Sequence, residues 1–205
     1  MRSTGNVLSG ILVATVALLL AGGAHANATG PPPARTGAPD ELDCTQCHVG
    51  TAVNGGGGEV TIEGPLEYEP GETYDLDVRI IDSSATKWGF ELTVLDAASD
   101  AAVGTLAATA SGTETVESGG RQYLRQTSAP SASETFAWLF EWTAPREDAG
   151  DVIFYAAGNA ANGFGALGDR IYTGRTRVVS APEPASSMGA LAALACLGWI
   201  RRRAA

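Results

Sequence analysis

Apolar residues recur at every second position in several stretches of the chain. Tyr74, Leu76, Val78 and Ile80 alternate with Asp75, Asp77 and Arg79. Trp88, Phe90, Leu92 and Val94 repeat the pattern, as do Phe136, Trp138, Phe140 and Trp142. Glu59–Glu63 alternates more briefly before Pro65, and Val152–Ala156 is a short, continuous apolar run. A period of two places one face of a strand on a core and the other in water. Turn chemistry separates the runs at Pro70-Gly71, Asp82-Ser83-Ser84, Ser118-Gly119-Gly120, Pro145 and Asn162-Gly163. Seven or eight short strands of this kind predict an all-β fold, an antiparallel β-sandwich. The alanine-rich stretch from Asp96 to Thr109 has room for one helical turn, and Gly104 argues against more. The aromatic rows are predicted to be core; a carbohydrate-stacking face would need them exposed.

Both ends of the chain break this pattern. Arg2 precedes an apolar run from Ile11 to Ala21, and Ala24-His25-Ala26 and Ala26-Asn27-Ala28 are small-x-small sites. That is the layout of a cleaved signal peptide, here residues 1–26. At the other end an apolar stretch from Ala185 to Ile200 is closed by Arg201, Arg202 and Arg203. A segment of this length falls just short of a comfortable membrane span, and its basic end stays in the cytoplasm. The predicted sandwich is thus flanked by an N-terminal signal helix and a short C-terminal hydrophobic helix. Residues 27–43 hold four prolines and few bulky apolar residues, so they read as an extended leader to a domain over residues 44–180.

Charge narrows the partners. Residues 29–180 carry 22 acidic and 9 basic side chains, a net of −13 by count. Nucleic acid is excluded by that balance, and an anionic lipid surface is disfavoured.

One motif carries distinctive chemistry: Cys44-Thr45-Gln46-Cys47-His48. Cys-x-x-Cys-His is the attachment signature of c-type haem. Two thiols at this spacing form thioethers to the haem vinyl groups, and the histidine ligates the iron. Such attachment takes place outside the bacterial inner membrane, which agrees with an exported chain. His25 leaves with the signal, and the only methionines are Met1 and Met188. No second histidine or methionine therefore completes the iron's axial pair, leaving Lys87, a backbone group or water. The proline- and glycine-rich flanks also offer a haem little apolar cover. A Cys44–Cys47 disulfide is an equal alternative in an oxidising compartment. Zinc is a third, needing a fourth ligand such as Asp40 or Asp43. Cys196 belongs to the C-terminal hydrophobic stretch.

Pro182-Glu183-Pro184, the hydrophobic segment and Arg201–Arg203 together resemble a PEP-CTERM sorting signal over residues 181–205. The resemblance implies an exosortase-type sorting enzyme as partner. It also implies transient residence of the tail in the inner membrane, then display at the surface or in the exopolysaccharide matrix of a Gram-negative bacterium. From about Arg35 to Arg177 the chain resembles the choice-of-anchor V domain, itself reeler-like. The resemblance is carried by Arg35-Thr36-Gly37-Ala38-Pro39, Cys44-x-x-Cys47-His48-x-Gly50, Trp88-Gly89-Phe90-Glu91 and Phe154 through Gly163. It implies a secreted immunoglobulin/reeler-like sandwich without a defined activity.

Other sites are weaker. Asn159–Gly163 with Asp169 offers oxygen ligands, but without calcium-loop spacing it reads as turn chemistry. There is no Gly-x-Ser-x-Gly elbow, and a catalytic triad would have to use His48. The sequence therefore predicts a non-enzymatic, surface-anchored protein with a structural or adhesive role. A haem c protein for redox or gas-ligand chemistry and a carbohydrate-binding module are the alternatives.

Overall fold

The alternating runs become the strands of two packed sheets. In the computed structural model, which describes residues 27–181, the strands are β1 (Val49–Gly50), β2 (Glu59–Glu63), β3 (Glu67–Tyr68), β4 (Thr73–Ile81), β5 (Lys87–Asp96), β6 (Thr105–Ala108), β7 (Thr113–Ser118), β8 (Arg121–Gln126), β9 (Thr135–Thr143), β10 (Val152–Ala161) and β11 (Leu167–Ser180). One sheet has the order β1-β11-β10-β5-β8-β7, with β3 also paired to β11; the other runs β2-β4-β9-β6. The pairings are antiparallel except for β1 and β3, which lie parallel to β11. The signal segment, Pro182–Glu183–Pro184, Met188, Cys196, Arg201–Arg203 and both expected flanking helices lie outside the described residues. Among the described residues no helix is long and apolar enough to cross a membrane.

The inward positions of the runs meet between the sheets. Leu76, Val78 and Ile80 of β4 and Trp138, Phe140 and Trp142 of β9 face Trp88, Phe90, Leu92 and Val94 of β5 and Phe154 of β10. Tyr68 and Phe154 each meet Trp142 edge-on, with ring centroids 5.2 and 5.3 Å apart. Trp88, Trp138 and Trp142 are all buried, so the aromatic rows form the core and offer no stacking platform for sugars. The Asp96–Thr109 stretch supplies no helix; it contributes β6, which pairs with β9.

Two expectations change. The Val152–Ala156 run extends as strand to Ala161, so Asn159, Ala160 and Ala161, which read as turn residues in the sequence, belong to β10. In addition, β5 and β10 are buried on both faces, not on one. The cover on the outer face is the Pro-rich leader. Ala38 packs against Leu95 and Tyr155, the Arg35 amide donates to Glu91 Oε2 at 2.6 Å, and Arg121 and the Tyr123 hydroxyl both reach Glu41 Oε1, at 2.6 and 2.9 Å. Proline gives this segment little backbone entropy to lose, and its polar groups find partners on β5 and β8. The leader is thereby a third layer of the domain.

Candidate functional site: the Cys44–His48 turn and its pocket

The leader ends in a single 3-10 turn, Cys44–Gln46. Asp43 caps it: its Oδ1 accepts from the Thr45 amide at 2.8 Å and from the Thr45 hydroxyl at 2.5 Å. The Cys47 and His48 amides both donate to the Cys44 carbonyl, at 3.3 and 3.0 Å. Residues three and four apart on such a turn share a side, so Cys44, Cys47 and His48 can border one space. Cys44 packs on Ala157 and Ile171, where the small Ala157 side chain on the outer face of β10 gives the turn room to dock. Burial pushes the Cys44 thiol up to about 12, with Asp43 and Glu91 adding to it, so it is a protonated thiol at neutral pH and a poor nucleophile. Cys44 and Cys47 are not bonded to each other.

After the turn, the chain runs beside β11 as β1, with Gly50 opposite Asp169. The approach is close: a Cβ on Gly50 would stand 2.2 Å from the Asp169 carbonyl oxygen. This register brings His48 Nδ1 to 2.5 Å from Asp169 Oδ2. Asp169 is fully buried, and its other oxygen accepts from the Asn162 amide at 3.0 Å. The Asn159 side-chain nitrogen lies 2.9 Å from His48 Nδ1 and 3.2 Å from Nε2. Asp169 accepts from Nδ1–H, which leaves Nε2 without a proton; the Asn159 amide nitrogen, nearer to Nδ1 than to Nε2, stands against the ring between the two nitrogens and off the Nε2 lone-pair axis. A histidine ligand needs that unprotonated Nε2, and a carboxylate on the opposite nitrogen is the usual way of fixing it. Asn159 Oδ1 is buried without a partner.

These groups border a pocket of about 560 Å³ with a predominantly apolar wall, within the ~300–1,000 Å³ range of cofactor and ligand sites. Cys44, Cys47, His48 and Asn159 line it, as do Trp88, Gly89 and Phe90 at the start of β5, Ala161 of β10, and Pro31 and Pro32 of the leader. Gly89 pairs with Asn159 and Lys87 with Ala161, so the sheet beneath the pocket is built partly from residues with little or no side chain. Apolar cover, which the flanks of the motif lack in sequence, comes from the sheet and the folded-back leader.

Cys44, Cys47, His48 and Lys87 all border the same pocket. Asp43, weighed as a zinc ligand, spends its carboxylate on the cap. Among the described residues no three His, Cys, Asp or Glu side chains converge on a point suited to a metal ion. A zinc site requires such convergence, whereas haem c attachment spreads its two thioethers and its iron ligand around a macrocycle. Asn159 and Asp169, expected to be turn residues, are strand residues that hold His48. The sequence signal for Asn159 is a lone amide in the small apolar run Ala156-Ala157-Gly158-Asn159-Ala160-Ala161. Asp169 has no local signal.

No protein-family model matches the chain, and no curated protein matches it in sequence. Solved structures similar to it include the human F-spondin reeler domain, at 17% identity over 60% of this chain and 88% of that one, with a TM-score of 0.47. The Reelin-N domain of F-spondin is similar at 17% identity over 68% and 96% of the two chains, with a TM-score of 0.48. The CARDB domain of the PF1109 protein from Pyrococcus furiosus, solved in complex with di-metal ions, shares 13% identity over 65% and 95%, with a TM-score of 0.36.

Proposed function

We propose that this chain is an exported, non-enzymatic β-sandwich protein that holds one c-type haem in the outer-face pocket and is displayed at the bacterial surface by its C-terminal tail. The observation that carries the reading is the Asp169–His48 contact at the edge of a pocket that Cys44 and Cys47 also line. Cys44 and Cys47 would hold the group covalently, and His48 Nε2 would ligate its iron. A haem bound there supplies a one-electron couple or a site for a small ligand. Asp169 keeps the Nδ1 proton in place and the ring oriented. Asn159 sets its side-chain nitrogen against the imidazole ring. Pro31 and Pro32 of the leader would cover the group on one side, with the β5 backbone at Trp88, Gly89 and Phe90 beneath it.

Cysteine-protease-like chemistry finds less support, because the hydrogen bonds of His48 run to Asp169 and Asn159 and the Cys44 thiol is held protonated. The display reading rests on Pro182–Glu183–Pro184 and Arg201–Arg203, and an exosortase-type enzyme is the partner it requires. The test is a pyridine haemochrome spectrum of protein exported in a bacterium with a haem c maturation system. A thioether-type spectrum is expected; a spectrum of dissociable haem, or none, overturns the proposal.

A further inference from the structure

The residues that follow the predicted signal cleavage point lie at the pocket. Asn27, Ala28 and Thr29 all line it, together with His48, Cys44 and Cys47. Chain ends usually fray unless they are tied down, and this one meets β8 at Gly30 and at Pro31. Asn27 Oδ1 accepts from the Thr29 amide at 3.1 Å and from its hydroxyl at 2.7 Å, closing a tight turn. Gly30, at φ +109°, sits so close to β8 that a Cβ would stand 2.5 Å from the Gln126 carbonyl oxygen. The Pro31 carbonyl accepts from the Arg125 guanidinium. Cleavage after Ala26 would convert the Asn27 nitrogen from an amide into a free primary amine at this place. Cleavage after Ala28 would do the same for Thr29.

We infer that the α-amino group released by signal-peptide cleavage is the second axial ligand of the haem iron, opposite in role to His48, and that it closes the iron to external ligands. The inference rests on the haem reading above. Its chemistry is simple: the ammonium gives a proton to solvent, and the nitrogen lone pair then forms the bond to iron. The competing amine on the pocket wall is Lys87. A terminal amine gives up its proton ~400-fold more readily than a lysine ammonium, taking reference pKa values of about 7.8 and about 10.4. The chain has no other strong nitrogen or sulfur donor to offer, since its second histidine and its methionines lie in the signal and the tail. Processing would then complete the site, so that only exported and trimmed protein carries a six-coordinate iron.

The test uses the exported protein from cells that attach haem c, in three forms: wild type, a variant with Gly-Ser inserted directly after the alanine at which the wild-type signal is cut (Ala26 or Ala28), and Lys87→Gln. Intact mass first establishes the N-terminus and the presence of haem. Electron paramagnetic resonance and carbon monoxide binding then report the sixth position. Expected are a low-spin wild type that does not bind carbon monoxide, the same behaviour in Lys87→Gln, and a high-spin, stoichiometrically carbon monoxide-binding inserted variant. A high-spin wild type, or a low-spin signal lost in Lys87→Gln and kept in the inserted variant, overturns the inference while leaving the haem in place. A mass without haem overturns the underlying reading, and this one with it.

Discussion

Asp169 sets a fully buried carboxylate 2.5 Å from Nδ1 of His48, across 121 residues of chain. Burying a carboxylate is costly unless it is paired and hydrogen-bonded, and here one oxygen takes the ring and the other the Asn162 amide. With Nδ1–H donating to this carboxylate, Nε2 is the ring nitrogen left without a proton.

Asp169→Asn keeps the shape of the side chain and removes its charge. Losing a charge-assisted bond costs about 1.5–3 kcal/mol, so the melting temperature of haem-free protein should fall by roughly 3–12 °C. In haem-loaded protein the thioethers keep the group attached. The reduction potential should nevertheless rise, because a less electron-rich imidazole stabilises ferric iron less. A redox titration with no shift would mean that the carboxylate does not act on the iron.

Gly50→Ala should part β1 from β11, because its Cβ would meet the Asp169 backbone and not a movable side chain. Overpacking of this kind costs about 1–3 kcal/mol. Hydrogen exchange reads the effect locally: the Val49 amide, which donates to the Ala166 carbonyl at 2.8 Å, should lose its protection while the β4–β9 amides keep theirs. Unchanged protection at Val49 would show that β1 does not depend on this close approach.

Glu91 gives a pH dependence with a definite sign. Burial, reinforced by Glu41 and opposed by the Arg35 amide and by Arg125, pushes its carboxyl up to about 8 from 4.5. The folded state therefore binds the proton more tightly than the unfolded chain does. Its stabilising contribution is fully present below about pH 4.5 and is lost as the pH rises through about 8. Glu91→Gln should flatten the fall in stability between about pH 5 and about pH 9, an effect of a few kcal/mol. Parallel wild-type and variant curves from calorimetry would show that Glu91 is not the group responsible.

Much of the sandwich was legible because period two is a local property. Leu76, Val78 and Ile80 alternate within one strand, and their burial needs no knowledge of the partner. The outer face of β5 was not legible. Gly89, Glu91, Thr93 and Leu95 read as the solvent side, and nothing near them announces that a leader about 50 residues earlier covers them. That leader looks unstructured by composition, and its order comes from partners such as Glu91, Arg121 and Tyr123 that are distant in the chain. The site divides in the same way. Cys44, Cys47 and His48 carry a spacing that chemistry explains, whereas Asp169 and Asn159 matter only through the β1–β11 and β10–β11 registers. A polar residue's role was hidden wherever its partner was set by sheet order and not by sequence distance.

The most direct measurement is the intact mass and visible spectrum of the exported wild-type protein beside a Cys44→Ala/Cys47→Ala double variant. The account predicts a wild type heavier by one covalent haem, with a Soret band, and both features absent from the variant. A colourless wild type lighter than its free-thiol mass by two hydrogens would mean a Cys44–Cys47 disulfide, and would contradict the assignment of this pocket to haem.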